Sequence, residues 1–219
     1  MLEAVPNFSE GRDESVIEAL RQALSSPARL LDVHVDADHH RSVFTLVGDE
    51  EPLVETLLAG VRSARDRIDL ARHDGAHPRI GAADVVPIVP IRPDAMERAR
   101  ETATVLARRI GDELELPVFL YGELAPGRGP AFFRRGGPEE LQRRIDSGEL
   151  APDFGPQRLD PRAGGVIVGA RRPLAVVGGC ACALETTEAP TRRSHGEPGL
   201  PTHRRIDEAG AATPARIRC

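Results

Sequence analysis

Five of the seven histidines in this 219-residue chain fall in two short polar stretches. The sharper stretch reads Arg72-His73-Asp74-Gly75-Ala76-His77-Pro78-Arg79-Ile80-Gly81-Ala82-Ala83-Asp84. An imidazole takes up or releases a proton near neutral pH, so His77 suits general acid–base work. Pro78 biases the residue before it towards extended backbone. Arg79 offers a forked cation for a carboxylate or for charge that develops during a reaction. Asp84 flanks the group on the other side, and the glycines allow backbone to approach a ligand closely. The same composition also suits a plain polar connection from helix to strand.

The other stretch is His34-Val35-Asp36-Ala37-Asp38-His39-His40-Arg41. Crowded His and Asp can hold a divalent metal. Strand alternation, however, sends neighbouring side chains to opposite faces, and a solvated strand-to-strand connection fits the same residues. A third stretch joins Asp153-Phe154-Gly155-Pro156 to Gly164-Gly165 and Arg171-Arg172. There Phe154 could stack on a flat heterocycle, or the segment could be an ordinary compact surface loop. Cys180, Cys182 and Cys219 make no disulfide framework, and with His195 and His203 they match no zinc-finger spacing. The cytoplasm suits that cysteine usage.

All 29 basic residues are Arg, which excludes a Lys Schiff base and a P-loop dependent on its Lys. The formal charge is −5 and the arginines are scattered, so nucleic acid is not the expected partner. No run of 18 apolar residues occurs, and the N-terminus lacks a basic segment before an apolar one. Neither a spanning helix nor a secretory leader is expected.

These stretches need elements to position them. Residues 2–8 read as a strand, and 13–25 as a helix with Asp13 as N-cap. Residues 29–35 and 42–48 are β-rich, and 51–71 form a long amphipathic helix. Residues 84–91 read as a strand whose two prolines place it near an edge or bulge. A second long helix over 94–115, a strand over 116–124 and a short helix over 138–148 follow. After a loop at 151–165, residues 166–178 read as two short strands around Arg171 and Arg172. This order predicts an α+β fold: a two-layer mixed or antiparallel β-sheet with helices on one face, ferredoxin-like in its opening. Prolines interrupt every candidate element in 179–219, which reads as a disordered tail.

Taken together, VPNFSEGR (5–12), DADHHRSVFTLVG (36–48), RHDGAHPRIGAADVVPIVPI (72–91), VFLYGE (118–123), APDFGP (151–156) and GGVIVGARRPL (164–174) resemble, in order, the segments of glutamate formiminotransferase. The resemblance implies transfer of a formimino group from N-formimino-L-glutamate to N5 of tetrahydrofolate, in histidine breakdown. It implies that His77, in the family's H-P-R-x-G segment, is catalytic. It also implies a folate-binding loop of Gly155, Pro156, Gln157, Arg158, Leu159, Asp160, Pro161, Arg162, Ala163 and Gly164. Both substrates carry carboxylates, so Arg41, Arg79 and Arg171, with Asp84, are the expected substrate-binding residues. Tetrahydrofolate is then a co-substrate, and no metal, nucleic acid or membrane partner is expected.

In the family, substrates lie in a groove between two α/β subdomains. The resemblance assigns residues 1–178 to the first, and nothing in 179–219 resembles the second. An out-of-frame or truncated end is therefore expected, with a homodimer or the missing half as the partner of the uncovered surface. Two other readings share some of these residues: a non-catalytic folate-binding remnant, and a metal-dependent amidine hydrolase built on the 34–40 cluster.

Overall fold

In the computed structural model, residues 1–75 and 78–173 are described. The first strand is broken by Pro6 into β1 (Leu2–Ala4) and β2 (Asn7–Phe8). Helix α1 (Glu14–Ala23) starts where Asp13 accepts from the backbone N–H groups of Ser15 and Val16. Strands β3 (Arg29–Asp36) and β4 (Arg41–Gly48) form an antiparallel hairpin, and α2 (Glu50–Arg67) carries Pro52 in its first turn. The expected helix to residue 71 ends earlier, and a separate 3₁₀ turn occupies Leu70–Arg72. Next come β5 (Ala83–Pro90), α3 (Met96–Leu114), β6 (Val118–Gly122), α4 (Pro130–Arg134), α5 (Gly137–Asp146) and β7 (Val166–Ala170).

The seven strands make one mixed sheet. Its first part runs β3–β4–β1–β5, all antiparallel, with β2 continuing the line of β1; this is the ferredoxin-like opening. Beyond β5, strands β7 and β6 add in parallel. The main core lies between the sheet and α1, α2 and α3, with Phe8, Phe44, Leu53, Leu57, Leu106 and Ile110 fully buried. Strand alternation sends Val86 and Val168 to that core and Val85 and Ile167 to the other face. There α4 and α5 add a second, smaller cover through Phe133, Leu141 and Ile145, packed with Phe119 and Tyr121.

Strand β5 is not at an edge despite Pro87 and Pro90; β1 and β2 pair with it on one side and β7 on the other. The bulge alternative does hold: Asn7 faces Val85 and Phe8 faces Ala83, so Asp84 is an extra residue in β5, and a second irregularity sits in the neighbouring strand. Pro87 falls opposite the break between β1 and β2, where Val5 donates its N–H to the Pro87 carbonyl (3.2 Å). Pro87 has no N–H to return, and the Asn7 side-chain amide donates to the Val5 carbonyl instead (2.9 Å). The pairing then shifts register between Asn7 and Phe8. Strand β6 has an open edge, and residues 153–154 close it. Val118 donates to the Phe154 carbonyl and Leu120 to the Asp153 carboxylate. The second short strand expected within 166–178, and the tail 179–219, lie outside the described residues. Among those described, no helix is long and apolar enough to cross a membrane.

Candidate functional site

Strand direction decides which loops meet. Strands β5, β6 and β7 begin at the end of the sheet where β2 and β3 finish and β4 begins. Residues 9–13, 37–41, 69–75, 78–82 and 155–165 therefore gather at one end. They are tied by backbone hydrogen bonds: Ser9 donates to Ala82 (2.8 Å), Gly165 to Ile80 (3.0 Å), Ala82 to Ala163 (2.8 Å) and Leu70 to Arg162 (2.8 Å). The Ser9 hydroxyl adds a bond to the Gly81 carbonyl (2.7 Å). A Cβ at Gly81 would lie 1.8 Å from the Gly165 carbonyl oxygen, so this contact depends on glycine.

Around that junction the side chains are mostly polar. The Glu10 carboxylate accepts from the backbone of Gly11, Arg12 and Asp13, and lies 3.0 Å from His40 Nε2. His40 itself stands at φ 50°, a left-handed conformation rare for a side-chain-bearing residue. Its ring meets that of His73, with centroids 3.9 Å apart. Arg79 reaches His73 and donates to the carbonyls of His40 and His39. A Cβ on Gly75 would come within 2.6 Å of the Arg79 guanidinium, which is why the backbone can cross so close. Burial, then the charge of Arg79, pushes the His73 imidazole down to about 4, so the ring is neutral at pH 7.

Arg41 and Arg79 are near enough for each to sense the other's charge, and Arg12 and Arg134 contribute to the same positive field. Asp84 answers it from the buried side. One Asp84 oxygen accepts from the Ile80 N–H (2.7 Å) and the other from Arg134 (2.6 Å). Burial raises the Asp84 carboxyl, against the pull of Arg134. Asp84 is thus an internal strut at 3% exposure. Arg171 leaves the sheet at its other end, where its N–H bonds the Ile88 carbonyl, and it lies beside Tyr121. Burial pushes the Tyr121 phenol up to about 12.

The segment 155–164 is held at both ends and open in the middle. Gly155 takes φ 79°, and a Cβ there would meet the Leu116 carbonyl at 2.2 Å. Pro156, Gln157 and Arg158 are exposed, whereas Ala163 is buried. Asp160 turns the chain by accepting from the N–H groups of Arg162 and Ala163, and Leu159 donates its N–H to Gln142 of α5. Phe154 is not a free stacking platform. It packs against the main core beside Gly111 and lies under the Arg108 guanidinium.

The 34–40 stretch does not assemble as a metal centre. His34 is exposed on β3, His39 pairs with Asp36 (2.7 Å), and His40 turns inward to Glu10. Among the described residues no group of three or more His, Cys, Asp or Glu is gathered as a metal would require. His77, and the cysteines with His195 and His203, lie outside the described residues.

Comparison with known proteins gives the family. The family model described as "Formiminotransferase domain, N-terminal subdomain" matches residues 1–171. The chain belongs to this family. Several of the formiminotransferase segments read from the sequence, 5–12, 36–48, 72–91 and 164–174, have one end at this junction, and 164–174 runs from there to the other end of the sheet. Glutamate formimidoyltransferase of Streptococcus pyogenes serotype M1 is 42% identical over 179 residues, which cover 80% of this chain and 60% of the relative. The enzyme of that name from Thermoplasma acidophilum is 42% identical over 178 residues, 78% of this chain and 58% of its own. Formimidoyltransferase-cyclodeaminase of Gallus gallus is 44% identical over 177 residues, 78% of this chain and 32% of the relative. The chain thus spans about a third to three fifths of the length of these relatives.

Glu10, His73 and Arg134 are members of the junction that sequence reasoning did not single out for it. Glu10 lay within the VPNFSEGR segment, and its position just before a capped helix was the available signal. His73 was visible as a second His near His77. Arg134 gave no signal, because α4 was not expected.

Proposed function

We propose that residues 1–178 act as the N-terminal subdomain of a cytoplasmic glutamate formiminotransferase, with 179–219 as a tail outside it. The substrates are N-formimino-L-glutamate and tetrahydrofolate, in histidine breakdown, and a second subdomain supplies the facing wall of the groove. The observation that carries this reading is the bonding of 80–82 to 163–165, in a chain of this family. It ties the strand end that follows Arg79 to the end of the 155–164 segment, which supports the reading that the two serve one site.

The folate secondary amine attacks the amidine carbon of the donor. A tetrahedral intermediate forms, and glutamate departs as an amine. Attack sheds a proton and departure needs one, so His77 serves both steps in turn. Arg79 and Arg41 hold donor carboxylates, Arg171 takes a carboxylate at the far end, and residues 155–164 hold the folate. Holding two substrates together lowers the barrier further. Asp84 keeps the loop in shape through Ile80, so its contribution to substrate binding runs through Arg79.

The test supplies the C-terminal portion of the Streptococcus pyogenes relative as a separate polypeptide and follows formimino transfer spectrophotometrically. Turnover that requires both pieces is the expected result. Absence of both turnover and folate binding by calorimetry would overturn the reading. Folate binding without turnover under those conditions would favour a non-catalytic folate-binding module.

A further inference from the structure

Four side chains from three loops stand in a row at the sheet end. Arg79 Nη1 is 2.9 Å from His73 Nδ1 and closer still to His73 Nε2. His73 Nδ1 is 3.4 Å from His40 Nδ1, and His40 Nε2 is 3.0 Å from Glu10 Oε1. The two ends give the row a direction. A guanidinium can only donate hydrogen bonds. Glu10 Oε1 already receives three backbone N–H groups, so towards His40 it is an acceptor. His40 therefore donates from Nε2, and while its ring is neutral Nδ1 is an acceptor. His73 then donates from Nδ1 and accepts from Arg79 at Nε2. With both rings neutral this one assignment satisfies the links from Glu10 to His40, from His40 to His73 and from His73 Nε2 to Arg79, and the approach of Arg79 to His73 Nδ1 is a contact without a hydrogen bond.

The surroundings favour that state. The His40 and Glu10 side chains are only 12% and 11% exposed, so water competes poorly for their bond. A proton added to His73 would lie against the Arg79 guanidinium. Other charged groups facing the row are Arg12 and Asp74, paired with each other, Asp36 with His39, Arg41 on β4, and Asp84 with Arg134. The backbone joins in, since the His40 and His39 carbonyls also accept from Arg79.

We propose that Glu10, His40 and His73 are positioning residues, a one-way chain of hydrogen bonds that holds Arg79 in a single orientation for the anionic end of a substrate. It rests on the reading of the 72–82 loop as the working loop. Nothing in the row transfers a group, and its members act through Arg79.

The test is a long-range ¹⁵N–¹H correlation spectrum of the full chain labelled at histidine. His40→Asn and His73→Phe assign the two rings, and Asn tolerates the left-handed backbone at position 40. The expected result at pH 7 is a neutral Nε2–H ring for His40 and a neutral Nδ1–H ring for His73, the His73 ring staying neutral as the pH falls to 5. A charged ring at pH 7, or a His73 proton on Nε2, would overturn the proposal. As a second readout, His73→Phe should weaken calorimetric binding of N-formimino-glutamate by about tenfold, the loss of one well-aimed charged hydrogen bond. Unchanged affinity, in a variant whose thermal unfolding matches the parent, would also overturn it. If the parent chain, with the C-terminal portion supplied, binds no formimino-glutamate but shows the two tautomers, the proposed function fails and the chain of hydrogen bonds stands.

Discussion

At the scale of single residues, the junction depends on buried charge that is paired rather than removed. Asp84 and Arg134 are the clearest case, with side chains 5% and 17% exposed and 2.6 Å between them. Removing one partner strands the other, and such losses run to roughly 3–5 kcal/mol. Asp84→Ala is therefore expected to lower stability in chemical denaturation by about that much. Adding Arg134→Met should return part of the loss, because the stranded guanidinium is then gone. Strictly additive losses would show that the two do not act as a pair. This places Asp84 differently from its sequence reading. A carboxylate next to an active loop suggests a substrate contact, but both of its oxygens are taken by Ile80 and Arg134. Nothing near Asp84 pointed to Arg134, fifty positions away, because the helix that carries it has only five residues.

At the scale of elements, local rules were readable and long-range ones were not. Helix α1 begins at the Asp13 cap that its sequence predicts, and β3 and β4 form where β-rich runs flank a polar turn. Each of these signals is local. The place of β5 in the sheet is not, because its prolines argue for an edge or bulge. Pro87 is accommodated by a break in a strand eighty residues earlier and by the Asn7 side chain, neither visible from residues 84–91. Helix α4 was hidden for a similar reason. Its Gly- and Pro-rich approach reads as loop, and it is secured by Phe133 in the second core and by Arg144, fully buried, which bonds the Phe132 carbonyl. Arg41, Arg79 and Arg171 were expected to share the substrate carboxylates; Arg41 and Arg79 lie within each other's field, whereas Arg171 follows the far end of a parallel strand. Parallel order sets that separation, and order is a property of the sheet. One substitution tests the junction between elements directly. Gly81→Ala places a methyl where only 1.8 Å separates it from the Gly165 carbonyl, so the 80–82 and 163–165 segments must part. Thermal unfolding should show a clear loss, and amide exchange at Gly165 and Ala82 should accelerate more than exchange in β3 and β4. Uniform acceleration across the sheet would contradict a local junction.

At the scale of the whole molecule, the proposed function makes the described fold one wall of a site. The open middle of the 155–164 segment and the Arg79 loop share an end of the sheet, while most of the covering helices, α1, α2 and α3, occupy one face. On that proposal a second surface closes over this wall; the chain itself spans about a third to three fifths of its relatives' length. Proton transfer by His77 is the central claim, and it has one direct measurement: steady-state formimino transfer by His77→Ala and by the parent chain, each with the C-terminal portion supplied. The account predicts that the variant keeps its thermal unfolding and its folate affinity while its rate falls by about 10²–10⁴-fold, the range for loss of a general acid–base group. A variant that folds, binds folate and turns over at the parent's rate would contradict it.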